Sequence, residues 1–158
     1  MARGKHISKR PITPDPVFNS RIVARLVNRV MMHGKKSVAQ KLVYQALDTI
    51  KAQGKNPLEV LEAAIRMVGP KVEVRSRRIG GASYQVPTEV RGDRREALAI
   101  RWLIAAASSR SNRDFHTFGL KLAAELQDAA NGQGEAINKR DNVLKMADAN
   151  KAFAHLKW

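Results

Sequence analysis

Lys71-Val72-Glu73-Val74-Arg75-Ser76-Arg77-Arg78-Ile79-Gly80-Gly81-Ala82-Ser83-Tyr84-Gln85-Val86-Pro87-Thr88-Glu89-Val90 breaks the rhythm of the chain on either side of it. Its start alternates by two, Val72 and Val74 against Glu73 and Arg75, which is the period of a strand. Gly80-Gly81 interrupts the run, and Ala82 to Val90 resumes it. Two such runs joined by Gly-Gly are predicted to form a β-hairpin. Pro87 lacks the N–H that a central strand needs, so the hairpin is expected as a free ribbon or a sheet edge. Alternation places Arg75 and Arg77 on one face, with Arg78 at the turn.

Outward from the hairpin the apolar period lengthens to three and four. Upstream, Asn19 or Ser20 caps a first helix whose stripe is Ile22, Val23, Leu26, Val27, Val30 and Met31, with Gly34 as its C′ stop. Ser37 is the expected N-cap of a second helix, with Val38, Leu42, Val43, Ala46, Leu47 and Ile50 inward and Gly54 at its end. Asn56-Pro57-Leu58-Glu59 combines a cap, a proline at N1 and a capping-box glutamate. It opens a third helix through Leu58, Leu61, Ile65 and Val68 to Gly69-Pro70. Downstream, Asp93 and Glu96 read as a capping box for a fourth helix carrying Leu98, Ile100, Trp102, Leu103 and Ile104. Trp102 lies in its apolar phase, which suits a core residue better than a base-stacking platform. Polar residues from Ser108 to Asp114 end that helix. A fifth runs through Phe118, Leu122, Leu126 and Ala129 to Gly132-Gln133-Gly134, and a last spans about Ile137 to Ala149. The tail from Asn150 ends in Phe153 and Trp158. Residues 1–19 hold Arg3, Lys5, His6, Lys9 and Arg10, then Pro11, Pro14 and Pro16, and are expected to be an extended basic tail. The expected fold is mainly α: a six-helix core, one protruding two-stranded hairpin at about 72–90, and that tail preceding a single helical domain over 20–158. No internal repeat is visible.

Composition bounds the partner. The chain has 158 residues, 44% hydrophobic but only 5% aromatic, enough for one aliphatic core. Twenty-nine Lys and Arg against 14 acidic residues leave a net charge of +15. Self-repulsion of that size calls for a polyanion. Nucleic acid leads, because each neutralised phosphate releases counterions; an anionic membrane surface is the weaker candidate. The absence of cysteine removes disulfides, thiolate nucleophiles and Cys-ligated zinc, and fits a reducing cytosol. No run of about 18 apolar residues spans a membrane, and the basic N-terminus lacks the apolar segment of a secretory signal.

Catalysis finds no support in the sequence. His6, His33, His116 and His155 stand apart from one another and from carboxylate pairs, so no metal is expected. No phosphate loop precedes a helix, and no cofactor is expected. Glu59, Glu62, Asp93 and Glu96 sit where first turns want acids. Binding is better supported. Lys71, Arg75, Arg77 and Arg78 crowd the ribbon, Tyr84 offers a stacking surface, and Arg91, Arg94, Arg95 and Arg101 follow directly. An arginine fork pairs two phosphate oxygens and stacks on bases. Lys35-Lys36-Ser37 set two cations beside a helix N-terminus. Arg21, Arg25 and Arg29 recur every four residues on the first helix, Arg29 being the most ordinary surface residue of the three. A surface gathering these would track a backbone, not a short base motif. Two other classes stay open: a DNA-architectural protein using the ribbon in a groove, and a basic scaffold that binds no nucleic acid. Cations spread over several elements favour folded RNA over a ribbon-only DNA binder.

Four stretches resemble a known family: Pro14-Asp15-Pro16; Gly34-Lys35-Lys36-Ser37; Val72 to Gly81 with Tyr84-Gln85-Val86-Pro87; and Ala149-Asn150-Lys151-Ala152-Phe153-Ala154-His155 with Trp158. Together they are similar to bacterial small-subunit ribosomal protein seven over nearly the whole chain. The resemblance implies six helices with an extended β-ribbon in a non-enzymatic, cytoplasmic ribosomal protein. It further implies primary binding to the 3′ major domain of small-subunit ribosomal RNA and nucleation of head assembly. The protein would lie near the exit-site transfer RNA and the messenger exit path, beside ribosomal proteins nine and eleven, and some members repress their own operon. The implied RNA contacts fall on Arg3, Lys5, Lys9, Arg10, Lys35, Lys36, Ser37, Arg75, Arg77, Arg78, Arg91, Arg94 and Arg95. Gly80, Gly81, Ala82, Ser83 and Tyr84 match the tip that faces the transfer RNA. Ser108 to Gly119 departs from the family pattern: where members carry a basic stretch leading into Lys-Ser/Thr-Met, this chain reads Arg113-Asp114-Phe115-His116-Thr117-Phe118. There, Arg110 and Arg113 are expected as RNA contacts from charge alone.

Overall fold

Among the described residues, six α-helices and one hairpin form, in the expected order. The computed structural model describes residues 11–156: α1 (Arg21–Val30), α2 (Lys36–Ala52), α3 (Pro57–Val68), β1 (Val72–Ile79), β2 (Ala82–Glu89), α4 (Gly92–Ser109), α5 (Phe118–Ala130), α6 (Glu135–Ala149) and a short 3₁₀ helix, Lys151–Leu156. Arg3, Lys5, Lys9, Arg10 and Trp158 lie outside the described residues.

The α5 helix is the axis of the core. It touches α2, α3, α4 and α6, and its Leu122, Leu126 and Ala129 are fully buried. Val43, Leu47 and Ile50 of α2, Leu61 and Val68 of α3, and Leu103 of α4 close around it, with Val23 and Leu26 of α1 completing the cluster. The small residues Ala46, Ala64, Ala99 and Ala107 are fully buried in the same cluster. Trp102 packs against this cluster, as predicted.

Helix starts are where local patterns mislead. Asn56 caps α3 by accepting from the Leu58 amide at 3.2 Å, with Pro57 at N1 as expected. Glu59, however, accepts from the Asn56 side chain at 2.8 Å instead of reaching the backbone. Gly34 is not the C′ residue of α1. The helix stops at Val30 because Met31 turns extended (ψ 129°), and Gly34, at φ +73°, belongs to the turn joining α1 to α2. Ser37 is not a cap, since α2 already begins at Lys36 with Lys35 in the cap position. Asp93 and Glu96 form no capping box: α4 starts at Gly92 with Arg91 in the cap position, and both carboxylates face Arg25 of α1. Val38, expected inward, is 50% exposed.

The segment preceding α1 is anchored within its described part. Asp15 is buried, and its carboxylate accepts from the Val17 and Phe18 amides and, at 2.8 Å, from the Tyr44 hydroxyl of α2. Phe18 lies tilted on the Tyr44 ring at 5.7 Å. Burial and the Asp15 carboxylate hold the Tyr44 phenol above its usual range.

The hairpin pairs antiparallel from Val72↔Glu89 to Ile79↔Ala82. Its two-residue turn places Gly80 at φ +56° and Gly81 at φ +89°. Positive φ at both central positions matches the right-handed twist of the strands and is costly for any residue with a Cβ. Pro87 lies opposite Val74 in a sheet of only two strands, consistent with the edge expected of it.

Candidate nucleic-acid interface

The two faces of the hairpin differ. Glu73, Arg75 and Arg77 share one face with their cross-strand partners Thr88, Val86 and Tyr84. On it Glu73, Thr88 and Val86 are buried, and Phe153 of the 3₁₀ helix packs on Tyr84 at 5.4 Å. The helix α6 also packs along the strands. This is therefore the covered face. Ser76, Arg78, Ser83 and Gln85 occupy the other and are exposed. Arg78 is not a turn residue, for it pairs with Ser83 inside the ladder. Tyr84, expected as a free stacking surface, has its ring partner within the chain. Gly80, Gly81, Ala82 and Ser83 at the tip remain open.

Carboxylates sort the arginines into held and free. Glu73 takes both Arg75 and Arg94: Arg75 Nε donates at 2.6 Å, and Arg94 Nε lies 2.8 Å from each oxygen. Burial pushes the Glu73 carboxyl up, but the hydrogen bonds from Arg94 and Arg75 outweigh it and hold the group below its usual value. Arg25 donates to Glu96 at 2.5 Å, with Asp93 3.7 Å away. Arg95 closes the C-terminus of α3, donating to Gly69 O at 2.9 Å and Arg66 O at 3.2 Å. This satisfies carbonyls that the end of a helix leaves open, a structural task for a residue expected as an RNA contact.

Arg110 is turned inward. Its Nε donates to the buried Glu125 at 2.7 Å, its Nη2 reaches Asp128, and its guanidinium lies 5.6 Å from the centre of the Phe115 ring. The Lys121 ammonium donates to Arg110 O at 2.5 Å, and Glu125 also accepts from the Ala136 amide at 3.1 Å. Although burial lowers it, the two carboxylates raise the Arg110 pKa, so the charge is permanent. The divergent stretch after α4 is thus tied to α5 and α6 by an internal ionic knot. An RNA contact by Arg110 does not fit that arrangement, whereas Arg113 is exposed.

Among the described residues, the side chains of Arg21, Arg29, Arg78, Arg91, Arg101 and Arg113 are exposed and make no hydrogen bond or ion pair. Three of them meet. Arg21 and Arg29 of α1 face Arg101 of α4 across a groove whose lining includes Asn28, Pro11 and Ile12. Through those same last three residues the groove runs into a second depression that reaches Lys36 and Gln40 of α2. Lys35 and Ser37, the sequence neighbours of Lys36, are exposed. One continuous depression therefore crosses α4, α1 and the start of α2, with Arg21, Arg25, Arg29 and Arg101 around Asp93 at one end and Lys36 at the other.

Comparison with known proteins decides the family. The model of the family described as Ribosomal protein S7p/S5e matches residues 2–151. The chain belongs to this family. It is 55% identical to the small ribosomal subunit protein uS7 of Caldicellulosiruptor bescii over the full length of both chains. Identity is 53% to the protein of the same name from Clostridium acetobutylicum and 52% to that from Desulfotalea psychrophila, again end to end. Membership in a ribosomal-protein family makes this a structural, non-enzymatic chain. The matched span includes the ribbon, Lys35-Lys36-Ser37 and the divergent stretch after α4.

Sequence reasoning counted Arg21, Arg29 and Arg101 among the cations of a binding surface but did not include them in the RNA contacts implied by the resemblance. Their spacing held a signal: Arg21 and Arg29 are two turns apart on α1, and Arg94 and Arg101 two turns apart on α4. That α1 and α4 lie side by side is a tertiary fact, and it alone turns two helix faces into one groove.

Proposed function

We propose that this chain is a structural constituent of the small ribosomal subunit that binds its ribosomal RNA in the 3′ major domain and nucleates folding of the head. The observation that carries it is the groove in which Arg21 and Arg29 of α1 meet Arg101 of α4, continuous with a depression that ends at Lys36 of α2. Built from three helices, it suits the irregular backbone of an RNA junction better than the regular groove of a duplex. Exposed Lys35, Ser37 and Arg91, the Arg75–Arg94 pair and the open ribbon face with Arg78 extend it. Arg77 contributes from the ribbon, and Arg3, Lys5, Lys9 and Arg10 would add tail contacts. The glycine tip with Ala82 and Ser83 is the part proposed to approach the exit-site transfer RNA and the messenger exit path. Ribosomal proteins nine and eleven are the proposed neighbours in the cytoplasmic ribosome, and repression of the chain's own operon would reuse the same surface on messenger RNA. Family membership counts against the DNA-architectural alternative.

The test is titration of the purified protein against the 3′ domain of small-subunit ribosomal RNA, with duplex DNA of equal charge as competitor, across a salt series. Binding should survive excess DNA. Arg101→Gln and Lys36→Gln should each weaken it and reduce the slope of log K against log salt by about 1. Equal displacement by DNA, or unchanged slopes, would overturn the proposal.

A further inference from the structure

Glu73 is a buried acid of the ribbon, at 8% exposure, and it lies between two elements that the chain could have left independent. From β1 it meets Arg75, two residues along its own strand face, and Arg94, in the first turns of α4. Both arginines are about half exposed, with side-chain exposures of 48% and 51%. How they are held matters. Arg94 uses only Nε toward the two carboxylate oxygens, so no hydrogen bond among the described residues engages its Nη1 or Nη2. Arg75 turns Nε and Nη2 toward Oε1, leaving Nη1. The guanidinium is planar, and the Nη1–Nη2 edge of Arg94 is a free fork of the kind that chelates phosphate oxygens, while Arg75 adds the donors of Nη1 beside it. The Thr88 hydroxyl, directly across the ladder, donates to Glu73 O at 3.4 Å and ties the residue into β2 as well.

We infer that Glu73 is a positioning residue: it orients Arg75 and Arg94 as a two-pronged clamp for phosphodiester groups and fixes the angle between ribbon and α4 at which both reach one RNA backbone. The inference rests on the RNA-binding function proposed above and deepens it. Two guanidiniums side by side repel each other. One shared carboxylate removes that repulsion and leaves a net single positive charge facing outward. A carboxylate that served only as a counter-ion would compete with RNA for both arginines, and its removal would tighten binding to every polyanion. A positioning carboxylate has the opposite signature, since its loss frees charge but spoils geometry.

The experiment compares wild type, Glu73→Gln and Arg94→Lys in paired titrations against the 3′ domain of small-subunit ribosomal RNA and a duplex DNA of equal charge. A wild type without preference for the RNA refutes the underlying function and is read first. Given that preference, Glu73→Gln should lower RNA affinity about tenfold while leaving DNA affinity equal or higher. Arg94→Lys keeps the charge but has no fork, and should lose RNA preference by a similar factor. Because Arg94 is exposed on a helix, that variant decides the question if Glu73→Gln fails to fold. Unchanged RNA preference in a folded Glu73→Gln, or in Arg94→Lys where Glu73→Gln does not fold, overturns the inference, as does tighter binding of Glu73→Gln to both nucleic acids.

Discussion

Replacing Glu125 by Ala removes the centre of the knot that closes the segment between α4 and α5. The Glu125 side chain is 1% exposed, and that of Arg110 is 19% exposed. Taking one member from a buried pair costs about 3–5 kcal/mol, because the other charge stays behind without its partner. Arg110 keeps Asp128, which lowers that figure, while the Ala136 amide loses its acceptor, a penalty of about 1–3 kcal/mol. The two corrections oppose each other and leave a loss near 4 kcal/mol. In a domain of this size 1 kcal/mol moves the midpoint by roughly 2–4 °C, so Tm should fall by about 10 °C. Thermal unfolding followed by circular dichroism at 222 nm, with urea midpoints at constant m, measures it. Glu125→Gln keeps an acceptor for Ala136 and should lose about half as much. Combining Glu125→Leu with Arg110→Met should recover most of the loss, since an apolar pair leaves no orphaned charge. A loss below about 1 kcal/mol for Glu125→Ala would refute the idea that this knot holds the segment.

Three other outcomes are expected. The Glu73 carboxyl titrates below its ordinary value of about 4.5, so its pairing with Arg94 contributes fully above that pH and is lost as pH falls through the lower folded value. Amide shifts of β1 and the first turn of α4, followed by NMR from pH 6 to 3, should move together there, and a flat response would exclude the linkage. Gly81→Val forces a branched residue to φ +89° and should cost about 1–2 kcal/mol, with loss of cross-strand NMR contacts near the tip but not near Val72. Intact tip contacts would show that the turn tolerates a Cβ. Gly69→Ala places a Cβ 2.8 Å from Arg95 Cγ and 3.1 Å from Ile65 O. It should displace the Arg95 clamp and lower stability by about 1–3 kcal/mol, and an unchanged urea midpoint would mean that Arg95 closes nothing of consequence.

What could be read from residue order was whatever is decided locally. The hairpin was legible because its strand period and its Gly-Gly turn lie within one short segment, and the start of α3 because Asn56 and Pro57 act on their own backbone. Asp93 and Glu96 misled because their partner, Arg25, is remote: Glu96 and Arg25 are 71 positions apart. Alternation showed correctly that Arg75 and Arg77 share a face. It could not show that Phe153 and α6 cover that face, because nothing in a strand names its neighbour. Arg110 misled for a related reason. A cation in a polar stretch looks like surface until two acids on the following helix, Glu125 and Asp128, turn out to face it. The groove of Arg21, Arg29 and Arg101 escaped because it exists only where α1 meets α4.

A two-stranded ribbon has no interior strand, so both of its borders are edges. Such borders can recruit a strand from another molecule and seed aggregation. This ribbon resists that in three ways. Pro87 offers no N–H to an incoming strand, the open face carries charge at Arg78 and Glu89, and α6 with the 3₁₀ helix covers the other face. The arginines that would meet phosphate also repel a second ribbon. A copy waiting for RNA is thereby kept from pairing with other copies, and the same charges that draw it to its polyanion act as its guard against self-association.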